Sequence, residues 1–464
     1  MFPTGGDVYV ADDGSGFVLD RSLNTPTAEQ RLEALESIAD ASPSSPGPDP
    51  EATVEEVNNH VHTIYSFSPY SPSAAAYAAW RCGLRAVGSV DHDSISAAPE
   101  TTEAGEILGI ATTVGYELRV GFGGTALAGR KINNPDSHSI AYYVTHGVPH
   151  GRIDEVKRFL APINTARNRR NRTQVQRLNE LLVSAKLPLL DFERDVLPLS
   201  CAAEGGSVTE RHILAALAQQ LVQKVPDGGR LTEFVCNRFA INASDKHKER
   251  LDDETNPHRI YDLLGFLKSE LLPRFFVQPG EDECVPVFEA VDFSNSIGAI
   301  PAYAYLGDVG ESPTGDKKAE KFEDDYLDEL FDEITRIGFC AVTYMPPRNT
   351  KNQLLRVQAL CRDHGLMEIS GVDINSSRQS FHSPETLEPE FAHLSTATWA
   401  LIAHEHLSSA DAHVGLFSAE VKRKVPDLTT RLEVYEGLGR KIDFRRRRES
   451  VAGLVDELRE GALR

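Results

Sequence analysis

Two stretches decide the fold: Val54-Glu55-Glu56-Val57-Asn58-Asn59-His60-Val61-His62-Thr63 and Leu84-Arg85-Ala86-Val87-Gly88-Ser89-Val90-Asp91-His92-Asp93. The span 54–61 reads as a strand, and Leu84 to Val90 as a second, compact and apolar one. Between them Ser71-Pro72 opens a helix, with serine as N-cap and proline at the first helical position, and Gly83 closes it. Further on, 95–108 reads as a helix stopped by Gly109, and Ala111 to Val120 as a third strand. Strand–helix alternation of this kind predicts parallel strands joined by helical crossovers.

The alternation stops near residue 150. Residues 152–185, 207–225 and 258–272 read as helices. Strands return at 299–305, 339–344 and 366–372, with helices over 319–337 and 349–364 between them. After about 385 the pattern is helical again and carries a basic run at Arg445 to Arg448. Upstream, a helix over 26–41 with Thr25 as N-cap is followed by Ser42 to Pro50, a linker by composition. The expected division is an extension and linker at 1–52, a barrel in two parts at 53–150 and 285–384, a mainly helical insertion at 151–284 and a helical C-terminal extension at 385–464.

The chain has 464 residues, 69 of them acidic and 48 basic, for a formal charge of −21. That balance opposes general nucleic-acid binding, which needs a basic face. It leaves room for a small anionic substrate met by a local cationic site. The six cysteines, Cys82, Cys201, Cys236, Cys284, Cys340 and Cys361, form no CxxC pair and suggest no disulfide framework. No apolar run reaches membrane-span length, and the start lacks a basic segment followed by an apolar one. A cytoplasmic protein is expected, with its oligomeric state open.

Chemistry concentrates at strand ends. His60 and His62 lie two apart in a strand, so both imidazoles project to one face and can share a divalent ion. The next strand ends in Asp91-His92-Asp93, polar groups that need partners beside a core; Asp93 also suits a helix cap. Glu117 is an acid within an apolar, β-branched strand. The strand at 366–372 ends in Asp373. Four strands thus each deliver a ligand-type residue at the carboxyl end, where active sites of strand–helix barrels assemble.

The segments Asn59-His60-Val61-His62-Thr63, Asp91-His92-Asp93, Gly115-Tyr116-Glu117 and Gly371-Val372-Asp373 resemble the PHP family, the polymerase- and histidinol-phosphatase-type phosphoesterases. The resemblance covers about residues 55–380. It extends to an arginine-rich helix (Arg167, Arg169, Arg170, Arg172, Arg177) and to Thr209-Glu210-Arg211-His212-Ile213. It implies a distorted (β/α)7 barrel, an α/β fold, holding Mn, Zn, Fe or Mg ions. By that resemblance the first metal is held by His60, His62, Glu117 and Asp373, and His138 and His212 are candidates for a second. Tyr305 stands where the family has a histidine. Phe67 and Asn375 stand where a third site has an aspartate and a histidine, so one or two ions per chain are expected.

The residues and the resemblance together imply a metal-dependent phosphoesterase acting on a small phosphate monoester, a nucleotide or sugar phosphate. Asp91 or His92 moves the proton in this reading. Arg119, Arg348, Arg170, Asn375 and Tyr305 face the substrate. Ser207-Val208-Thr209-Glu210 reads as a capping box, which would make Glu210 structural and leave His212 facing either way. A metal-dependent hydrolase of a non-phosphate bond, or a ligand-binding module without turnover, are the alternatives.

Overall fold

A computed structural model describes residues 9–10, 16–41, 55–134, 136–225, 229–308 and 322–460. The expected linker at 42–50 and the start of the helix expected at 319 lie outside these residues. The strands are β1 (Tyr9–Val10), β2 (Phe17–Val18), β3 (Val57–Val61), β4 (Ala86–His92), β5 (Ala111–Gly121), β6 (Ile140–His146), β7 (Val285–Pro286), β8 (Ile300–Ala304), β9 (Ala341–Tyr344) and β10 (Met367–Ser370). β1 and β2 form a separate antiparallel pair. The remaining strands form one sheet in the order β10-β9-β8-β6-β5-β4-β3, with β7 beside β5.

The sheet curls into a nearly closed barrel. Val61 and Ile374 form a parallel bridge across the gap between β3 and the segment after β10. His62 N donates to Ile374 O at 3.0 Å and Ile374 N to His60 O at 3.3 Å. Side chains complete the seam. Asn58 Oδ1 accepts from Val372 N, and Asn58 Nδ2 donates to Val372 O. Asn59 Nδ2 donates to Ser370 O and to Thr398 Oγ1, each at 2.9 Å. These buried amides satisfy backbone groups that no neighbouring strand reaches. Gly371 is required here, since a Cβ on it would lie 2.5 Å from the His60 Cβ.

β3 carries a bulge, because its register with β4 shifts between Asn58 and Val61. The extra residue lets Val57 and the two histidines share the inward face although their separations are odd. Asn58 Oδ1 accepts from His60 N at 2.9 Å and patches the interrupted ladder.

The expected parallel pairing holds for β3, β4 and β5. β6 is antiparallel to both β5 and β8, whereas β3–β4, β4–β5, β8–β9 and β9–β10 are parallel. The link of 122–139 between β5 and β6 holds no crossover helix, and β6 returns beside β5 in the opposite sense.

Helices α1 (Ala28–Ala41), α2 (Pro72–Arg81) and α3 (Ala98–Leu108) pack on the first strands. Ser71 Oγ caps α2 by accepting from Ala74 N, as expected, and Gly83 follows with φ +80°. For α1 the cap is Thr27, not Thr25: its Oγ1 accepts from Gln30 N. Buried Arg31 of α1 forks onto Glu100 of α3, with Nε–Oε1 at 2.9 Å.

Residues 151–284 supply α4 (Ile153–Ser184), α5 (Glu210–Lys224), α6 (Leu231–Phe239), α7 (Asp245–Asp252), α8 (Arg259–Glu270) and α9 (Leu272–Phe275). They share their own apolar cluster, which includes Phe67 from the loop after β3. Helices α10 (Val287–Ser296), α11 (Leu327–Ile337) and α12 (Lys351–His364) cover the outer wall. Last come α13 (His393–Ala410), α14 (Ala419–Lys424), α15 (Leu428–Gly439) and α16 (Arg447–Glu460).

α13 is buried on nearly every side, from Leu394 to Ser408. It packs against inward-facing Val57, Ala86, Ala111, Ala302, Ala341 and Met367. A helix buried all round belongs in a core, and this one closes one end of the barrel, leaving the other end for chemistry.

The seam and the open surface respond differently to one methyl group. Gly371→Ala should lower unfolding free energy by about 2 kcal/mol through overpacking against His60. Gly453→Ala in α16, where a Cβ meets nothing within 4 Å, should raise it by roughly 0.5–1 kcal/mol. Urea denaturation of the two variants reads the difference, and equal effects would contradict the seam.

Candidate metal centre

The inward face of β5 presents Ala111, Thr113, Gly115, Glu117 and Arg119 in alternation. Glu117 lies opposite His92 of β4. The bulge in β3 and the seam bring His60, His62 and Asp373 to the same height. His60 Nε2 lies 3.1 Å from Glu117 Oε2, and His62 Nε2 3.9 Å from it. His62 Nε2 lies 2.9 Å from Asp373 Oδ1. One ligand atom from each of His60, His62 and Glu117 falls within 4.8 Å of the others. His92 closes the ring, with Nδ1 3.3 Å from Glu117 Oε1 and its ring centroid 4.5 Å from that of His62.

The electrostatics are those of a cation site. Burial pushes the Glu117 carboxyl up, but His92 and His60 outweigh it and hold the group well below the usual carboxylate range. For Asp373, burial raises and His62 more than offsets, again leaving an anion. His62 is wholly buried and its Nε2 has no hydrogen bond of ordinary geometry. Two imidazoles and two ionised carboxylates converging in a low-dielectric pocket fit a divalent ion of the Zn, Fe or Mn class.

Above the cluster opens a cavity of about 240 Å³, lined by His60, His92, Glu117, Tyr142 and Asp373 at its floor. Arg119, Arg167, Arg211, Lys268 and Arg348 contribute cationic wall, and Phe67, Leu214, Leu272 and Phe276 an apolar one. Behind the wall lies a buried ionic network. Arg167 Nε is 2.9 Å from Asp93 Oδ2 and 3.4 Å from Glu283 Oε1. Arg170 pairs with Glu210 at 2.7 Å and Glu283 at 2.5 Å, and Arg119 reaches both acids at 3.3 Å. Three guanidinium groups meet three carboxylates, so no charge is buried alone. Asp93 sits at φ +50°, an uncommon conformation for a side chain of its size, held by Arg167 and by Asn164 donating to its carbonyl.

Several expectations need revision. Asp91 does not face the cavity. Its Oδ1 accepts from Thr63 N at 2.7 Å and Ser66 Oγ at 2.6 Å, and its Oδ2 from Thr63 Oγ1 at 2.6 Å. Both oxygens are used in pinning the loop after β3, which begins at His62, an arrangement that suits a positioning role. His138 is exposed beyond the Gly121–Ile140 end of the β5–β6 ladder, bridged to Lys131 and carried past the rim. His212 is the third residue of α5 and closes its capping box. Its Nδ1 accepts from Thr209 N at 3.0 Å, and its ring packs edge-on against Phe67. The box therefore starts at Thr209, not Ser207.

Glu210 is freed for the ionic network. Arg170 is buried between its two acids and does not line the cavity. Asn375 lines the cavity but donates Nδ2 to Asp373 Oδ1 at 2.7 Å, which orients that carboxylate. Tyr305 lines it too, while its hydroxyl donates to Asp324 at 2.6 Å. Arg119, Arg348 and His92 stand on the cavity wall.

His146 is a residue that the sequence pattern does not single out. It ends β6 buried, its ring centroid 6.5 Å from that of His60, and its Nε2 has no hydrogen-bond partner among the described residues. Burial, then the neighbouring His60, lower its pKa to about 3. The signal it does carry is an apolar strand, Ile140 to His146, that ends in an imidazole. Glu283 gave no such signal, since nothing local marks an acid that partners arginines over a hundred residues earlier.

No protein-family model and no curated protein sequence matches the chain. Among solved structures, one similar chain is from Bifidobacterium adolescentis and is described as a "putative metal-dependent phosphoesterase". It shares 17% identity at a TM-score of 0.46, covering 70% of this chain and 88% of that one. Another is an amidohydrolase from Chromobacterium violaceum with bound sulfate and no metal, 13% identical at 0.44, covering 69% and 87%. Likeness this distant leaves the reading of the site to the residues themselves.

The role given to Asp91 is testable. Asp91→Ala removes the acceptor of three buried hydrogen bonds and should cost about 2–4 kcal/mol of stability. It should also weaken metal binding roughly 10–100-fold, as loss of ligand support does. Asp91→Asn should recover much of both. Calorimetric metal titration with thermal denaturation checks this; unchanged affinity in the alanine variant would contradict it.

Proposed function

We propose that the protein is a metal-dependent phosphoesterase of PHP type that hydrolyses a small phosphate monoester. The observation that carries the reading is the cluster of His60, His62 and Glu117, with Asp373 joined to it through His62, beneath a cavity that His60, Glu117 and Asp373 line together with arginines and a lysine. A bound ion there, when present, lowers the pKa of a coordinated water and polarises a phosphoryl oxygen.

The chain's own groups supply the rest. Arg348 and Lys268 line the cavity and would orient the phosphate, with Arg119 and Arg167 held rigid behind them by Glu210, Glu283 and Asp93. Burial lowers the His92 pKa, so its imidazole is neutral near pH 7 and can take up a proton beside Glu117. Asn375 fixes Asp373, and Asp91 fixes the loop of the two histidines. Phe67, Leu214, Leu272 and Phe276 exclude water and suit an apolar or aromatic part of the leaving group, such as a nucleobase.

One or two ions per chain fit this centre. Phe67 has no donor atom, and it lies among the apolar residues of the helical segment. His138 and His212 are spent elsewhere, which leaves His146 and His92 as the histidines nearest the first site. Among the described residues no helix is long and apolar enough to cross a membrane. The six cysteines are all free thiols, which supports a reducing cytosol.

Purified protein stripped of metal and reloaded with Mn²⁺ or Zn²⁺ should hydrolyse members of a nucleotide and sugar-phosphate panel. Glu117→Gln should lower kcat/KM by about 100-fold or more while the circular dichroism spectrum is unchanged. A metal-loaded protein inert to every phosphate ester, or a Glu117→Gln variant with wild-type rates, would refute the assignment.

A further inference from the structure

A second group of ligand-type side chains meets away from the cavity, where β5 begins and α13 closes the barrel. His150 follows β6 on a short turn, and Glu405 and His406 are adjacent on α13. One ligand atom from each lies within 4.8 Å of the others. His150 Nε2 is 2.9 Å from Glu405 Oε1. Both residues are oriented by further bonds. Val114 N donates to Glu405 Oε2 at 2.7 Å, and His150 N donates to Ser409 Oγ at 2.8 Å.

His406 is the informative member. It is 1% exposed, and neither ring nitrogen has a hydrogen-bond partner of ordinary geometry among the described residues. Its ring lies 5.3 Å from that of His150 and edge-on to Phe444 at 5.7 Å. A buried imidazole with unused nitrogens is costly unless something takes its lone pair. The Thr112 backbone stands beside the ring, where a metal-bound histidine commonly directs its other N–H to a carbonyl. The nearby positive charge of Arg447 is answered by Glu106, 2.6 Å away.

We propose that His150, Glu405 and His406 form a second, structural cation site that ties α13 to the barrel wall. Two imidazoles and one carboxylate select Zn²⁺ or a similar borderline ion over Mg²⁺ or Ca²⁺. Side-chain rotation of His150, whose side chain is 20% exposed, draws the three groups to ligand distance and leaves the solvent side for a water as fourth ligand. The site joins β6 to the C-terminal helices, so its ion adds to folding stability and not to the cavity's chemistry.

The test uses the full chain, stripped with a chelator and titrated with Zn²⁺ by equilibrium dialysis and with Co²⁺ by its visible absorption. His150→Ala should bind one ion per chain fewer than wild type, or bind that ion at least tenfold more weakly. The metal-dependent rise in melting temperature should shrink with it. His60→Ala/His62→Ala, which silences the cavity floor, should retain one ion. Equal stoichiometry and affinity in wild type and His150→Ala would overturn the proposal, as would a folded His60→Ala/His62→Ala protein that binds no ion. If that double variant does not fold, the comparison of wild type with His150→Ala decides.

Discussion

The seam between β3 and the segment after β10 governs this structure. A sheet that ended there would expose an open edge and leave the histidine pair far from Asp373. Instead Val61 and Ile374 bridge, Asn58 and Asn59 bond across to Val372 and Ser370, and Gly371 allows His60 to approach. The same contacts that close the barrel set His62 Nε2 beside Asp373 Oδ1. Closure and assembly of the centre are one event, because residues more than three hundred apart in sequence supply both.

From the seam, two further constraints follow. The inward positions Val57, Ala86, Ala111, Ala302, Ala341 and Met367 make part of the lumen apolar. Buried α13 fills one end of it, so the polar inward groups of the strands gather at the other. There the buried acids and arginines must balance. The helices of 151–284 bring Arg167, Arg170, Glu210 and Glu283 to that end, where they pair with Asp93 and Arg119. The network balances its own charge, and Arg211, Lys268 and Arg348 add positive charge to the cavity wall, so a chain with net charge −21 can still meet an anion there.

Much of this is legible in the sequence, for physical reasons. Strand periodicity and helix caps are local, so β4, β5, α2 and Gly109 fall where the residues put them. The rule that a core strand does not end in unpaired polar groups finds His60, His62, His92, Glu117 and Asp373. It does not tell a metal ligand from a hydrogen-bond hub, and Asp91 is the hub: its partners Thr63 and Ser66 are invisible as such until the loop folds. The direction of β6 is likewise hidden, since an antiparallel return needs only a connection without a helix. His138 and His212 were assigned by resemblance alone. The ladder ends before the first, and the second serves its own helix cap. Long-range pairs such as Arg170–Glu283 leave no local trace.

The metal at the cavity floor is the feature on which the chemistry of this barrel depends. Crystals of the Zn²⁺- or Mn²⁺-loaded protein, measured on both sides of the metal's absorption edge, give the most direct test. An anomalous peak within about 2.0–2.3 Å of His60, His62, Glu117 and Asp373 is predicted. A metal-saturated crystal with no peak among those four side chains would contradict it.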